Sequence, residues 1–353
     1  LTALDVSGLT GLTELDCAST GLTVLDASIL DSLQALYCFS NKNLMNLNVS
    51  GLTKLKTLSC YNNNLTELNV SGLTNLKDLR CKNNPYTFFK IAEGKTLTVT
   101  SAAGGTVWMT AFNKNTGEVT LEARPDTGYT FKEWAGLPDG ISTSPTANFT
   151  LNTDMTVGAG FASTDATLKS LSLSDGTLAP AFDPATTSYT ASVGNGVGFV
   201  TITATPNDPK AIVTGNGAKP LNVGNNSFTV TVTAENGTPK EYKITITRAA
   251  ASTDATLKEL SLSNGTLAPA FDPATTSYTA NVGNSVTNVT INATANDPKA
   301  IVAGNGTKTL AEGVKTFTVT VTAEDGSTAS YTVTITRAGA TTGGNSSSSS
   351  GTS

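Results

Sequence analysis

The chain has 353 residues, a formal net charge of −5 and no histidine. The lack of histidine excludes mechanisms and metal sites that depend on an imidazole, and the acidic balance argues against nucleic acid as a partner. No apolar run approaches the roughly 20 residues of a membrane-spanning helix, so membrane insertion is not expected. Abundant Thr, Ser, Asn and Gly, with 14% charged residues, favour short strands joined by tight turns. The sequence therefore predicts a mainly β protein.

A repeat of 21 to 22 residues occupies the first part of the chain. Each unit contains the segment Leu-x-x-Leu-x-Cys, which ends at one of four regularly spaced cysteines: Cys17, Cys38, Cys60 and Cys81. In three units an asparagine follows three residues later: Asn41, Asn63 and Asn84. The pattern is met nearly in full from Leu55 to Ser71 and resembles the leucine-rich repeat family in its 21-residue bacterial variety. This resemblance implies a leucine-rich-repeat solenoid in residues 1–85.

The two ends of the sequence indicate a longer parent protein. Leu1 to Ser7 correspond to the second half of a repeat, and no polar capping unit precedes them. We therefore expect a fragment of a secreted protein whose export signal lies upstream. Residues 341–353 are rich in Ser and Gly and are expected to form a flexible linker.

The cysteines allow two interpretations, a disulfide or metal site and a set of small core residues. Neighbouring strands lie roughly 4.7–4.9 Å apart, which exceeds the mean Cβ separation of about 3.8 Å in a disulfide. No Cys-x-x-Cys pair or histidine supports a metal site. We therefore expect the cysteines to pack inside the stack, and we expect no metal or cofactor.

Side chains between the leucines should reach solvent on the concave strand face. Stacking the units gives three columns: Glu14, Ala35, Thr57 and Asp78; Asp16, Tyr37, Ser59 and Arg80; Ala18, Phe39, Tyr61 and Lys82. Candidate ligand-binding residues are an aromatic cluster and the charges beside it: Tyr37, Phe39, Tyr61, Asp78, Arg80 and Lys82. Aromatic and Arg side chains are common in binding hot spots. The alternative, that Phe39 and Tyr61 only cover the edge of the stack, stays open at this point.

Alternating apolar residues replace the leucine period in residues 86–162. They begin at Leu97 to Thr100 and continue to the segment Gly128-Tyr129-x-Phe131-x-x-Trp134. This stretch resembles the divergent B-repeat family of Gram-positive surface proteins, which implies a small β-domain that acts as a spacer or a contact domain. Trp134 falls on the packed aromatic position of that motif, which favours a core role over a sugar-stacking one. The role of Trp108 stays open.

Residues 163–251 and 252–340 are two copies of one sequence, identical at 65 of 89 positions. Alternation such as Val200, Ile202 and Ala204 predicts roughly seven antiparallel strands in each copy, arranged as an immunoglobulin-like sandwich. The segment Leu171 to Phe182, with its counterpart from Leu260, resembles the bacterial cadherin-like β-sandwich family. That resemblance implies an extracellular structural or adhesive module. Too few carboxylates cluster to favour calcium, and Asn207-Asp208-Pro209 is more simply a turn.

No catalytic constellation is found, so the sequence predicts a non-enzymatic, extracellular or bacterial cell-surface region. In this hypothesis the leucine-rich face binds an extracellular protein, peptide or glycan, and the β-domains act as spacers. Association with the cell wall would then come from regions outside this sequence. One alternative is a substrate-targeting or spacer region of a larger secreted carbohydrate-active or peptidase enzyme, and another is a pure spacer without a ligand.

Overall fold

The computed structural model describes residues 2–91, 94–138 and 143–340. Every regular element in these ranges is a β-strand. Long apolar helices of the kind that cross a membrane do not occur within them. The chain forms two compact units, one with the repeats, the small β-domain and most of the first sandwich, the other with the remainder of that sandwich and the second.

The repeats stack so that each turn of the chain adds one short strand to each of two parallel ladders. The strands are β1 (Glu14–Asp16), β2 (Val24–Asp26), β3 (Ala35–Tyr37), β4 (Asn46–Asn48), β5 (Thr57–Ser59), β6 (Glu67–Asn69), β7 (Asp78–Arg80) and β8 (Phe88–Lys90). The first ladder has the order β1-β3-β5-β7. In the second, β2 pairs with β4 and β6 with β8. The 21- to 22-residue period therefore sets the register of the stack.

Leucines and cysteines fill the inside of this stack. Leu36 and Leu58, the central residues of β3 and β5, are fully buried. All four cysteines are buried and unpaired, which confirms that they are core residues. A buried cysteine packs as a small hydrophobe and leaves room for the next turn.

Buried asparagines make hydrogen bonds to backbone N–H and C=O groups at the points where the chain leaves the first ladder. The Asn63 side chain donates from Nδ2 to Cys38 O at 3.0 Å and to Cys60 O at 2.9 Å, while its Oδ1 accepts from Asn41 N at 2.7 Å. Asn84 makes the same type of contact one repeat later, to Cys60 O and Cys81 O. Because a buried unpaired peptide group is costly, an amide at this position stabilises three of the four turns, whereas in the first turn the Thr20 hydroxyl donates to Cys17 O at 2.8 Å.

The second ladder extends past residue 85, where the leucine period ends. Phe89 of β8 pairs in parallel with Leu68 of β6 and is fully buried. Tyr86 is buried too, and its hydroxyl donates to Cys81 O at 3.1 Å. Aromatic residues thus continue the stack in the positions that leucines fill earlier.

The small β-domain shares a sheet with the stack. Its strands are β9 (Thr96–Ser101), β10 (Gly105–Phe112), β11 (Glu118–Pro125), β12 (Tyr129–Ala135), β13 (Thr146–Thr150) and β14 (Met155–Ser163). One sheet has the order β12-β14-β9-β8-β6 and the other β10-β11-β13. Trp134 packs half-buried against the common core and donates from Nε1 to Ser144 O at 2.8 Å, as its motif position predicts.

Each of the two sequence copies folds into seven strands in two sheets. The first has β15 (Leu168–Leu173), β16 (Ser188–Val193), β17 (Phe199–Pro206), β18 (Ile212–Thr214), β19 (Gly217–Pro220), β20 (Gly224–Thr233) and β21 (Pro239–Arg248). The second has β22 (Leu257–Leu262), β23 (Ser277–Val282), β24 (Asn288–Ala295), β25 (Ile301–Ala303), β26 (Gly306–Thr309), β27 (Gly313–Thr322) and β28 (Thr328–Arg337). The sheet orders are β15-β17-β19 with β16-β21-β20-β18, and β22-β24-β26 with β23-β28-β27-β25. The predicted strand number and sandwich architecture are confirmed.

Candidate ligand-binding face

The first ladder presents side chains in the predicted columns. Strand register aligns Glu14, Ala35, Thr57 and Asp78 in one column, and Asp16, Tyr37, Ser59 and Arg80 in the next. Beyond the strands, Ser40 N donates to Tyr61 O at 3.0 Å and Asn62 N to Lys82 O at 3.1 Å, so the third column is aligned as well. The stack therefore brings the six sequence-predicted site residues onto neighbouring turns.

Phe39 and Tyr61 form the aromatic centre of this face. Their rings are parallel within 3°, with centroids 4.7 Å apart, and both side chains are half-buried. Tyr37 is half-buried in the adjacent column. Because the two rings stack on one another, each holds the other in place, and a ligand would meet ring edges that are already ordered.

One expectation about this face is wrong. Ser59, which lies in register between Tyr37 and Arg80, is 2% exposed. The second column is therefore interrupted at Ser59. The accessible residues of the second column are Asp16 and Tyr37 on one side of Ser59 and Arg80 on the other.

The face carries charges at both ends: Glu14 and Asp16 on the first strand, and Asp78, Arg80 and Lys82 on the last turn. Arg80 Nε is 3.1 Å from an Asp78 carboxylate oxygen, and both side chains are largely in solvent. Such exposed pairs contribute little stability, so their charges remain accessible. Lys82 is exposed and has no carboxylate within ion-pair distance in the part of the chain that the structure describes.

Strand β10 of the small domain crosses the end of the stack and adds a wall that sequence reasoning missed. Asn83 N donates to Met109 O at 2.5 Å, and Met109 N donates to Asn84 O at 2.9 Å. Beside this contact lies an open cleft of about 450 Å³. It is lined by Tyr61, Leu79, Arg80, Cys81, Lys82, Ala111 and Phe112. Phe112 is fixed by an edge-on contact with Phe89, with centroids 4.9 Å apart. Phe112 falls outside the alternation of Val107 and Met109, because the strand register shifts between Met109 and Ala111, and its neighbours come from distant sequence.

Burial holds the thiols near this face in the protonated form. Burial raises the pKa of Cys60 to about 12, and burial with the nearby Asp16 charge raises the pKa of Cys17 to about 11. Burial also raises the pKa of Cys81, in the cleft, well above its usual range. A reactive cysteine needs a lowered pKa. Across the described ranges, no three Cys, Asp or Glu side chains are grouped so that they could hold a metal ion.

Comparison with known families assigns the domains that follow the stack. Residues 168–249 and 257–338 match the cadherin-like beta sandwich domain, and residues 95–165 match the divergent InlB B-repeat domain. The chain therefore contains two cadherin-like sandwiches in tandem and one divergent B-repeat. Domains of these kinds are typically non-catalytic and extracellular.

Individual relatives cover only part of the chain or resemble it weakly. A protein of Evansella cellulosilytica, named "Putative membrane protein", is 40% identical over 97 residues, which are 25% of this chain and 15% of that protein. The chain thus spans only about 15% of the length of this curated relative. The extracellular domain of Protocadherin GammaB4 is 10% identical over 74% of this chain and 50% of its own, with a TM-score of 0.25.

The functional domain of InlJ from Listeria monocytogenes, described as including a cysteine ladder, is 17% identical over 70% of this chain and 50% of its own. Its TM-score is 0.16, and scores this low carry no functional argument. The family matches suggest a surface or extracellular location and are consistent with an adhesion or binding region.

Proposed function

We propose that the first ladder belongs to a leucine-rich-repeat stack in residues 1–85 and binds an extracellular protein, peptide or glycan. The observation that carries this proposal is the parallel Phe39–Tyr61 pair beside an open cleft. Half-buried aromatic rings offer a large apolar contact area at a small cost in conformational entropy. Arg80 and Lys82 add charge at the rim, where charged side chains set orientation and association rate.

The remaining domains act as spacers in this proposal. The small domain would occupy residues 86–162, and the sandwiches residues 163–251 and 252–340. Duplication of one self-contained sandwich extends a chain without altering what is at its end. The whole region would serve adhesion at the surface of a bacterium, as a non-catalytic part of a larger secreted protein.

A two-stage binding experiment tests the proposal. The full chain is screened on glycan and extracellular-protein arrays, and each hit is titrated by calorimetry. Binding should be lost in the double variant Tyr37→Ala with Tyr61→Ala. It should be kept in Phe199→Ala, a matched control that removes an aromatic ring which is 65% exposed on the first sandwich.

Two results would count against a binding face. If the double variant binds as tightly as the original chain, the ligand contacts another surface. If the arrays give no hit, residues 1–85 act as a spacer or as an accessory region whose partner lies in the same parent protein.

A further inference from the structure

A second cleft includes Trp108 of β10 and does not include Phe112. It has a volume of about 370 Å³ and is lined by Lys42, Asn62, Asn63, Asn83, Trp108 and Arg124. Its composition differs from that of the aromatic face: amides and cations surround a single indole. That combination of groups indicates a polar ligand.

The indole wall is held rigid by its neighbours. The Arg124 guanidinium lies 4.5 Å from the centroid of the Trp108 ring. Arg124 is fixed in turn by Glu122, with Nε and Nη2 at 2.8 and 2.6 Å from one carboxylate oxygen. The indole Nε1 donates to Thr106 Oγ1 at 3.1 Å. A ligand therefore meets an ordered wall and need not immobilise it.

The amides at this cleft are not explained by the turns that carry them. Asn62 and Asn83 have positive φ values of 57° and 59°, a conformation that asparagine tolerates well. Ser19 and Ser40 occupy the same place in the earlier repeats with φ values of 58° and 59°. Serine thus suffices for the backbone, and asparagine occurs at the two turns nearest Trp108.

The amide pair leaves hydrogen-bonding groups for a ligand. Asn83 Nδ2 donates to Asn62 Oδ1 at 2.7 Å. This bond fixes both side chains and leaves Asn62 Nδ2 as a donor and Asn83 Oδ1 as an acceptor. Neighbouring sugar hydroxyls, which donate and accept, complement such a pair.

The charge at the cleft comes from Lys42. Its side chain is exposed, and none of the ion pairs found among residues 2–91, 94–138 and 143–340 includes it. The Arg124 charge is already balanced by Glu122. A ligand with one carboxylate within reach of Lys42 would therefore be preferred over a neutral one.

We propose that the Trp108 cleft binds an acidic oligosaccharide, a sugar chain that carries uronic-acid carboxylates. The Trp108–Arg124 wall packs against a sugar ring, the Asn62–Asn83 pair binds its hydroxyls, and Lys42 binds the carboxylate. This site is separate from the Phe39–Tyr61 face, so the two can succeed or fail independently.

Calorimetric titration of the full chain with oligogalacturonate tests the site, with a neutral galactan oligomer of equal length as the comparison ligand. The double variant Asn62→Ser with Asn83→Ser keeps the residue type that the earlier turns use. It should lower the affinity for the acidic oligomer about tenfold, as expected for two lost hydrogen bonds. Lys42→Met should remove the preference for the acidic over the neutral oligomer. Trp108→Ala should abolish detectable binding, and Phe199→Ala should leave it unchanged.

Other outcomes overturn the proposal. Equal binding of both oligomers by the original chain would show that Lys42 does not select a carboxylate. Full affinity in the serine double variant would exclude the amide pair. If Tyr37→Ala with Tyr61→Ala abolishes sugar binding and the serine variant does not, the sugar binds the aromatic face. If an acidic peptide binds more tightly than the oligosaccharide, the ligand class is wrong.

Discussion

Glu235 and Glu324 occupy equivalent positions in the two sandwiches, and each pairs with a lysine of its own sandwich. The Glu235 carboxylate lies 3.0 Å from Lys210 Nζ, and the Glu324 carboxylate lies 3.0 Å from Lys299 Nζ. In each case the lysine is the main cause that lowers the pKa of the glutamate below its usual value of 4.5. The duplication has therefore preserved a charge pair together with the fold.

These glutamates also accept a hydrogen bond from the first residue of their own domain. The amide proton of that residue therefore reports the charge of the glutamate. Ser163 N donates to Glu235 at 3.4 Å, and Ser252 N donates to Glu324 at 3.1 Å. We expect both amide proton shifts to titrate with a midpoint below pH 4.5 in NMR spectra. Since the glutamate pKa is lowered in the native state, the contact stabilises the fold above that pH and is lost as the pH falls through the lower native pKa.

Replacing one lysine tests whether each lysine pairs with the glutamate of its own sandwich, because the other sandwich of the same chain serves as the control. Lys210→Met should raise the midpoint seen at Ser163 and leave that at Ser252 in place, and Lys299→Met should do the reverse. Midpoints that move together, or not at all, would contradict the pairing of each lysine with its own glutamate.

The asparagine ladder predicts a large local cost for Asn63→Ala. Three hydrogen bonds are lost, those with Asn41 N, Cys38 O and Cys60 O. Asn41 N is left buried without its acceptor, whereas Cys38 O and Cys60 O each keep one bond, from Asn41 Nδ2 and Asn84 Nδ2. An unsatisfied buried group costs about 1–3 kcal/mol and each other lost bond about 0.5–1.5 kcal/mol, so we expect the free energy of unfolding to fall by about 3 kcal/mol. Urea denaturation followed by the fluorescence of Trp108 and Trp134 measures this change.

A neighbouring residue supplies the control. Asn64 is next in the chain and half-buried, and Asn64→Ala should change the free energy of unfolding by less than about 1 kcal/mol. Similar costs for the two variants would show that the position tolerates any small residue and that the ladder contributes little.

The buried thiols predict a stability loss in alkali. Their pKa values are raised from 9.0, to about 11 for Cys17 and about 12 for Cys60. Because the unfolded chain loses these protons first, the native stack is favoured below pH 9 and loses stability as the pH rises towards 12. Iodoacetamide labelling with mass spectrometry should modify Cys17 before Cys60 on a pH ramp. Prompt modification of Cys60 in the native protein at pH 8 would contradict its burial.

The aromatic face predicts that binding and stability can be separated. Tyr37→Ala with Tyr61→Ala should abolish binding of any array hit, while the melting temperature stays nearly unchanged because both rings are only half-buried. Differential scanning calorimetry on the same samples measures the second part. A large fall in the melting temperature would show that these rings belong to the core and do not form the binding face.

The sequence predicted those features of the fold that depend on the regular spacing of apolar residues along the chain. The repeat spacing places Tyr37 and Arg80 in one column, as strand register confirms, and alternation predicted the seven strands of each sandwich. It did not predict β8, because Phe89 takes a leucine position after the leucine pattern has ended. It also missed the contact between Met109 and Asn84, since nothing local marks which strand meets the end of a stack. The burial of Ser59 depends on the sizes of its neighbours in adjacent turns, which a single repeat does not reveal.

Strand pairing in the second sandwich has a mechanical consequence. Strand β23 runs parallel to the final strand β28 over six residue pairs, from Ser277↔Thr332 to Val282↔Arg337. Tension on the chain enters this sandwich through its first strand, β22, which pairs with β24, and leaves through β28. Once β22 has separated, the load passes to β23 and shears the β23–β28 ladder lengthwise. In this shear geometry all hydrogen bonds of the ladder bear the force together. If the strands were peeled apart from one end, the bonds would break one at a time. After the first strand has separated, the rest of the sandwich therefore resists stretching through this ladder.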